Sequence, residues 1–176
     1  SKFIPTKVLI DKKEWVAHDN EGKYVIDKND FSYTNNGIKH NFDFAFIIIH
    51  GSPGEDGKLQ GYFEMIGLPH STSSSSVTSL TFQKFHCNQF LKNFGVNVAE
   101  ALLFRLEDKI DETDILNKIG LPCFVKPTNA GSSYGITKVK SLKELIPAIK
   151  NAFSYGNEVV IEANIPGREV TNGIYR

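Results

Sequence analysis

Short β-prone runs alternate with polar turns over the first third of the chain. The runs occupy residues 7–10, 14–17 and 23–26, and charged or glycine-containing turns separate them. Residues 42–49 (FDFAFIII) are almost continuously apolar, which is typical of a parallel strand covered on both faces. Apolar residues at helical spacing predict a helix over residues 57–66. A buried strand followed by a helix is the repeating unit of an α/β fold.

The rest of the chain continues this alternation of helices and strands. Residues 70–76 (HSTSSSS) are polar, and we interpret them as a solvated connection between two domains; phosphorylation of this hydroxyl-rich run is the less favoured alternative. Beyond it, the apolar pattern predicts a long amphipathic helix over residues 77–94 that ends at Gly95. Further helices are predicted over residues 112–119 and 142–153, and strands over residues 99–104, 123–125, 136–139, 158–162 and 169–175.

Composition and charge exclude several classes of protein. Of the 176 residues 40% are hydrophobic and 23% are charged, which is enough for a buried core. Lys+Arg and Asp+Glu both total 20, so no net charge favours nucleic acid or a membrane surface as a partner. Cys87 and Cys123 are too few for a disulfide framework or a cysteine-rich zinc site and indicate a reducing compartment. No apolar run approaches the roughly 20 residues that span a bilayer.

The first segment that suits ligand chemistry is residues 50–57 (HGSPGEDG), between the apolar run 42–49 and the predicted helix. Open α/β sheets bind ligands at the carboxyl ends of their strands, and a helix N-terminus offers N–H groups to an anion. Glu55 is also an ordinary helix-start residue, and a single His50 is more often a hydrogen-bonding residue than a catalyst. Position therefore leaves a functional and a structural role equally weighted.

The second segment is the loop over residues 126–135, which joins two predicted strands. Lys126 places a point charge at the strand exit, and the glycines around Ser132 and Ser133 free the backbone to fold over phosphates, with N–H groups and hydroxyls as donors. The loop is longer than a tight hairpin turn requires. Its composition therefore favours phosphate binding over a purely structural turn.

The same loop matches the G-x-S-x-G nucleophile elbow of serine hydrolases, with Ser133 as the nucleophile. The elbow requires a helix after the serine, but residues 136–139 alternate as a strand does. That fold also places its histidine after the serine, and all five histidines here lie before it. We therefore interpret this match as accidental.

The third segment runs from a predicted buried strand through Glu162 and a Pro-Gly turn to Glu169. Two carboxylates that bracket a turn can bond a base amine and ribose hydroxyls, or they can flank a surface hairpin. The sequence contains no Walker A motif, no G-x-G-x-x-G fingerprint and no His/Cys cluster at zinc spacing. No metal ligand is predicted among these residues.

Taken in order, these segments resemble the D-alanine–D-alanine ligases of the ATP-grasp superfamily. The resemblance covers residues 42–176, whereas the first forty residues match only as generic strands. The residues that carry it are His50-Gly51, Gly54–Gly57, Leu59–Gly61, Glu64, Gly67–Pro69, Ser79-Leu80, Lys84, Leu121-Pro122, Val125–Pro127, Gly131–Ser133, Gly135, Lys138-Val139, Ile161-Glu162 and Gly167–Glu169.

The resemblance implies a fold and a function. The fold is α/β, with an N-terminal parallel-sheet (pre-ATP-grasp) domain over residues 1–76 and an incomplete ATP-grasp domain of α+β type over residues 77–176. The function is ATP-dependent ligation of two D-alanines through an acyl phosphate, for peptidoglycan precursors in the bacterial cytoplasm, by a homodimer. D-alanine and ATP are the implied ligands, with Mg²⁺ (or Mn²⁺) held by residues outside these 176. Neither nucleic acid nor a membrane is an expected partner.

The resemblance also assigns roles to particular residues. His50, Glu55 and Ser132 are the implied catalytic residues, near or against the first D-alanine. The implied nucleotide-binding residues are Lys84, Lys126, Gly131, Ser132, Ser133, Glu162, Asn164, Ile165 and Glu169. The lysines would hold the phosphates, the glycine-serine loop would close over them, and the residues from Glu162 onward would bind adenine and ribose.

The chain also departs from the family pattern. Ala163 stands where a lysine is common, and His70 stands where a tyrosine is usual. The resemblance covers roughly half of the family's enzyme, without its first glycine-rich loop and its magnesium ligands, so we expect these 176 residues to be inactive by themselves. Three alternatives stay open: a sibling ligase that makes D-Ala–D-Lac or D-Ala–D-Ser, a non-catalytic nucleotide-binding module, and the less favoured serine hydrolase, which labelling of Ser133 by a fluorophosphonate would test.

Overall fold

The structure is a computed structural model that describes residues 3–173. Its internal contacts divide the chain into two compact units, Ser1–Thr78 and Ser79–Arg176. The mixed α/β class expected from the sequence is confirmed. Within the described residues, no helix is both long enough and apolar enough to cross a bilayer. The assignment of the two units as separate domains stays a prediction.

Over residues 3–78, two small antiparallel sheets precede a helix. The elements are β1 (Lys7–Asp11), β2 (Glu14–His18), β3 (Lys23–Val25), β4 (Tyr33–Asn35), β5 (Ile38–His40) and α1 (Lys58–Ile66). β1, β2 and β3 pair as a meander, and β4 pairs with β5. Aromatic rings fill the core, where the Phe31 ring centroid lies 4.9 Å from that of Phe63 and 6.0 Å from that of Trp15, both edge-to-face.

The β4–β5 hairpin was not predicted. Asn36 (φ 47°) and Gly37 (φ 79°) both lie in the left-handed region and form the two-residue turn between paired Asn35 and Ile38. A type I′ turn requires positive φ at both central positions, which is why Asn-Gly favours it. The Asn-Gly pair was therefore a signal in the sequence that could have identified the hairpin.

The predicted parallel strand over residues 42–49 is wrong. Among the described residues, its ladder pairing is limited to a parallel bridge between Ala45 and His70, made by Ala45 N–H to Pro69 O (2.8 Å) and Ser71 N–H to Ala45 O (3.0 Å). The next N–H, that of Ile47, donates to the Ser71 hydroxyl (3.0 Å). Because a side chain takes the bond that would extend the ladder, the pairing stops.

The expectation that both faces of this segment are covered is also wrong. Ala45 is buried in the core of the first unit. The alternate side chains Phe44, Phe46 and Ile48 are 53%, 75% and 75% exposed. The segment therefore has one packed face and one exposed apolar face.

Residues 79–173 are built around a four-stranded antiparallel sheet. Its strands are β6 (Ala101–Arg105), β7 (Cys123–Pro127), β8 (Thr137–Val139) and β9 (Glu158–Ala163), in the order β6-β9-β7-β8. The helices from residue 75 onward are α2 (Ser75–Phe82), α3 (Lys84–Asn93), α4 (Glu112–Lys118) and α5 (Leu142–Phe153). α5 covers one face of the sheet and packs its Leu145 and Ile149 into a core with Val125 and Ile161.

The single long helix predicted over residues 77–94 is wrong, because the structure has two helices, α2 and α3. Gln83 between them is extended (φ −89°, ψ 92°). The backbone N–H of Lys84 donates to Thr128 O (2.9 Å), and that of Phe85 donates to the Thr128 hydroxyl (3.3 Å). These bonds to a distant residue replace the bonds that would continue one helix.

The last predicted strand, residues 169–175, is not formed over residues 169–173, which are exposed and irregular. Within the described part of the chain these residues pair with no strand, so their alternating pattern has no ladder to join. Residues 174 and 175 lie outside the described residues. The remaining predicted helices and strands are confirmed, with ends within two residues of those expected.

Candidate functional site

The sheet of the second unit has one face against α5 and one face opposite it. Val125 and Ile161 point into the core beneath α5 and are fully buried. Because side chains alternate along a strand, Phe124, Lys126 and Glu162 lie on the opposite face. β7 and β9 therefore place the charged side chains of Lys126 and Glu162 on the same face of the sheet, opposite α5.

The strand register brings Lys126 and Glu162 together. Phe124 lies directly opposite Glu162, and Lys126 lies opposite Val160, on the adjacent strands β7 and β9. Lys126 and Glu162 are therefore diagonal neighbours, within reach of each other for long side chains. Their Nζ and Oε1 atoms form an ion pair. The two side chains are only 18% and 14% exposed, so the pair is largely removed from solvent.

A second lysine reaches this pair from α3. The Lys84 ammonium donates to the carbonyl oxygen of Ala130 (2.5 Å). Burial lowers the pKa of Lys84, and the charge of Lys126 lowers it further, while Glu162 acts in the opposite direction. Glu162 thus forms an ion pair with Lys126 and also acts electrostatically on Lys84. These three groups together carry a net positive charge that suits an anion.

Thr128 fixes the position of Lys84. Its carbonyl and hydroxyl accept the N–H groups of Lys84 and Phe85 at the start of α3, and its own N–H donates to Glu158 O (3.0 Å). Thr128 is fully buried. This residue was missed by the sequence analysis, because nothing in its local pattern relates it to a helix more than forty residues earlier.

The loop after β7 carries the predicted serines. Ser132 (φ 51°) and Ser133 (φ 60°) are consecutive left-handed residues, a conformation that costs about 1–3 kcal/mol for each non-glycine residue. Such strain is common where a loop is shaped for a ligand. The Tyr134 ring stacks on that of Tyr155, with centroids 6.1 Å apart, so an aromatic contact anchors the loop to the segment before β9.

The remaining nucleotide candidates follow β9. The Asn164 N–H donates to Pro122 O (3.3 Å). Ile165 is 67% exposed, and Glu169 is exposed. The structure therefore brings Lys84, Lys126 and Glu162 together but leaves Ile165 and Glu169 on the surface.

The candidates in the first unit form a smaller cluster at the start of α1. His50 Nδ1 lies 3.7 Å from Glu55 Oε1, and the His50 side chain is 90% exposed. Glu55 Oε2 accepts the Gly51 N–H at 2.6 Å, and Glu55 N–H donates to Gly51 O at 2.8 Å. The turn therefore holds the Glu55 carboxylate beside an exposed imidazole. His50 and Glu55 lie close together, and their catalytic roles stay predictions.

Solved structures define the class of protein. The VanG D-Ala:D-Ser ligase from Enterococcus faecalis matches with a TM-score of 0.78 and 28% identity, over 88% of this chain and 50% of that one. The D-alanyl-alanine synthetase A from Vibrio cholerae matches with a TM-score of 0.79 and 24% identity, over 92% and 49%. The fold is that of the ATP-grasp ligases.

The sequence comparisons narrow this class to a family. Models described as D-ala D-ala ligase N-terminus and C-terminus match residues 2–73 and 90–176. The D-alanine–D-alanine ligase of Phocaeicola vulgatus is 53% identical over 154 residues, 88% of this chain and 48% of that protein. That of Parabacteroides distasonis is 49% identical over 170 residues, 96% and 51%. The chain belongs to the D-alanine–D-alanine ligase family.

The match confirms the resemblance and extends it. The N-terminal family model begins at residue 2, so the first forty residues, which had matched only as generic strands, also carry the family pattern. The chain spans about half the length of the curated relatives it matches.

Proposed function

We propose that this protein ligates two D-alanines with ATP, forming D-alanyl-D-alanine for peptidoglycan precursors in the bacterial cytoplasm. Membership of the ligase family supports the reaction class. The observation that carries the proposal is the convergence of Lys84, Lys126 and Glu162 beside the serine-rich loop. The two ammonium groups suit the phosphates of a nucleotide, and the carboxylate suits a hydrogen-bond donor on its base.

The proposed reaction has two steps. A carboxylate oxygen of the first D-alanine attacks the γ-phosphorus of ATP, and ADP leaves with the electrons of the broken P–O bond. The amine of the second D-alanine then attacks the acyl carbon, loses a proton, and phosphate leaves. The first step brings two anions together, so fixed cations and N–H donors around the phosphates lower its barrier.

Lys84 and Lys126 would supply those cations. Lys126 stands near the end of β7, which pairs with β9, and Lys84 is held by the bonds that Thr128 makes to the start of α3. Preorganised charges in a partly dehydrated site stabilise developing charge better than the same charges in water. The loop with Gly131, Ser132 and Ser133 would cover the phosphates and exclude water that would hydrolyse the acyl phosphate.

The other end of the nucleotide would lie along the segment that leaves β9. The Glu162 carboxylate can accept a hydrogen bond from the amine of adenine, and Glu169 can accept bonds from the ribose hydroxyls. Ile165 offers an exposed apolar side chain next to backbone polar groups. Because position 163 is alanine, base recognition would depend on Glu162 and the backbone near Asn164.

By the family pattern, Ser132 in the second unit and, separately, His50 and Glu55 in the first unit would each act on the first D-alanine. The serine hydroxyl can donate to a carboxylate, and Glu55 can accept a bond from an ammonium group. The 3.7 Å approach of His50 to Glu55 gives the carboxylate a polarising neighbour. These roles rest on the family pattern together with this local geometry.

Mg²⁺ would neutralise phosphate charge in such a reaction. Among residues 3–173, His, Cys, Asp and Glu side chains do not gather in a group of three that could hold a metal. The described residues therefore do not fit a magnesium site by themselves. We propose that these 176 residues bind ATP without turning it over.

Two measurements test this function. Titration calorimetry of the 176-residue chain should show ATP binding, and Lys126→Met should weaken it by about tenfold or more, since a charged hydrogen bond is lost. Lys143→Met, at an exposed position on α5, is the matched control and should bind ATP normally. Failure of the unmodified chain to bind ATP would contradict the proposal.

The second measurement is product analysis by mass spectrometry with the whole protein that carries this sequence. D-alanyl-D-alanine is the expected product. The likeness to the VanG D-Ala:D-Ser ligase makes D-serine the competing second substrate, and D-lactate should be offered beside it. ATP binding without any ligated product would instead support a nucleotide-binding module. We also propose a homodimer, which light scattering would test.

A further inference from the structure

The Lys126–Glu162 ion pair occupies the place where a phosphate is expected to bind. The pair is largely buried, so its charges are held by each other and not by water. In this structure the positive charge of Lys126 is therefore already matched by a carboxylate. An incoming anion cannot use Lys126 fully unless Glu162 releases it.

Lys84 differs from Lys126 in this respect. Its hydrogen-bond acceptor at 2.5 Å is a neutral carbonyl, that of Ala130, and the neighbouring Lys126 repels it. Lys84 thus supplies the charge that attracts an anion, while the charge of Lys126 is neutralised by the Glu162 carboxylate. The two lysines of the cluster are not equivalent.

We propose that Glu162 is a placeholder for the nucleotide, which holds Lys126 until a phosphate displaces it. This inference rests on the proposed function and adds that the phosphate and base ends of the site are coupled. Once displaced, the Glu162 carboxylate needs a new hydrogen-bond donor, because a buried carboxylate without a partner is strongly unfavourable. The exocyclic amine of adenine is such a donor.

Because of this coupling, the Lys126–Glu162 ion pair would make the site specific for nucleotides over other polyphosphates. The phosphates of a nucleotide displace Lys126 from Glu162, and the amine of its base then supplies Glu162 with a new hydrogen-bond donor. An inorganic polyphosphate also displaces Lys126 from Glu162 but supplies no hydrogen-bond donor to the carboxylate, so its affinity for the site is lower. The site should therefore select phosphate esters of an amino-bearing base over free polyphosphate, even though both carry the same anionic groups.

The same strand provides a matched control. Glu158 lies four residues before Glu162 on β9 and also pairs with a cation, with its Oε1 3.0 Å from Arg105 Nε. Both carboxylates lie on one face of the strand. Glu158→Gln therefore removes a similar charge and a similar ion pair, without freeing Lys126.

The experiment is calorimetric titration of the unmodified chain, Glu162→Gln and Glu158→Gln with sodium tripolyphosphate and with ATP. We expect Glu162→Gln to bind tripolyphosphate about tenfold more tightly, because its internal competitor has lost its charge. Glu158→Gln should remain within about twofold of the unmodified chain, because the carboxylate it removes pairs with Arg105 and not with Lys126. An unchanged or weaker tripolyphosphate affinity in Glu162→Gln would overturn the placeholder.

A second comparison needs no variant. ITP carries an oxygen where ATP carries the exocyclic amine, so it displaces Lys126 without offering Glu162 a donor. The unmodified chain should bind ATP about tenfold more tightly than ITP, and equal affinities would overturn the coupling. If the unmodified chain binds ATP while Glu162→Gln leaves tripolyphosphate affinity unchanged, only the placeholder fails. If neither ATP nor tripolyphosphate binds to any of the three proteins, the proposed function fails with it.

Discussion

The carbonyl oxygen of Thr128 accepts the backbone N–H of Lys84 at 2.9 Å, which ties the end of β7 to the first residue of α3. The neighbouring Phe85 N–H donates to the Thr128 hydroxyl oxygen. One residue thus caps a helix from another element and fixes the position of a lysine in the proposed anion site. The cap also explains why the helical pattern is interrupted at Gln83.

Replacing Thr128 with valine removes the hydroxyl while keeping the shape of the side chain. Loss of one partly buried hydrogen bond should lower the free energy of unfolding by about 1–2 kcal/mol, measured by urea denaturation. ATP affinity should fall as well, because Lys84 loses part of its support. Thr113→Val, at an exposed position in α4, is the control and should change neither quantity. A fully stable Thr128→Val protein would show that the cap is not needed.

Gly135 lies where a side chain would collide with the loop's anchor. Its φ is +71°, and a Cβ there would lie 2.7 Å from Tyr155 Cδ2 and 3.1 Å from Pro127 Cδ. Gly120 has a similar φ of +75° with nothing within 4 Å of its Cβ position. Gly120→Ala should therefore cost about 1–2 kcal/mol of unfolding free energy for the backbone conformation, and Gly135→Ala should cost more. Equal losses in thermal or urea unfolding would mean that the contact with Tyr155 relaxes freely.

The stacking of Tyr134 on Tyr155 predicts that ATP binding by the serine-containing loop after β7 depends on the Tyr155 ring. Tyr155→Ala removes a contact of about 0.5–1.5 kcal/mol, so ATP affinity should fall by up to about tenfold as the loop loses its anchor. Tyr155→Phe keeps the ring and should bind ATP as the unmodified chain does. Calorimetry on both variants checks this, and a weak Tyr155→Phe would indicate that the hydroxyl matters instead.

The carboxylate of Glu64 in α1 binds the start of α2. It accepts hydrogen bonds from the Ser75 hydroxyl at 2.5 Å and from the Ser75 N–H at 2.9 Å, and these bonds lower the pKa of Glu64 below the ordinary value of a glutamate. Because the folded-state pKa is depressed, this stabilisation is present above the unfolded value and is lost as pH falls through the folded one. Glu64→Gln should therefore be less stable at pH 7 and equal to the unmodified chain in acid.

Urea unfolding of both proteins at a series of pH values measures that difference. Glu14→Gln, at an exposed position in β2, provides the control for loss of a carboxylate in the same unit. A Glu64→Gln deficit that persisted unchanged at low pH would point to packing and not to charge.

Features that depend on the local sequence pattern could be predicted, whereas features that depend on residues distant along the chain could not. The limits of α5 were predicted correctly over residues 142–153. A helix that packs one face against a sheet has apolar residues at helical spacing, and this spacing is visible in its own sequence. The break at Gln83 and the end of pairing after Ala45 depend on Thr128 and Ser71. Those partners lie far along the chain, and no local pattern reveals them.

The same division holds for the site. The family pattern named Lys84, Lys126 and Glu162 one by one. Their relation depends on the strand order, in which β9 lies between β6 and β7 and brings Glu162 beside a lysine 36 residues earlier. Register is set by the packing of both strands against α5, so the ion pair becomes visible only in the folded chain.

The exposed row of Phe44, Phe46 and Ile48 affects how this chain behaves in the test tube. Fluorescent dyes such as ANS bind clustered apolar side chains, and their signal is widely used to detect partly folded states. This chain should brighten such a dye while its secondary structure and tertiary packing are intact. Substituting the three residues with threonine should remove the signal without lowering the near-ultraviolet circular dichroism. Dye fluorescence will therefore identify a surface of the native chain, and unfolding will have to be followed by another probe.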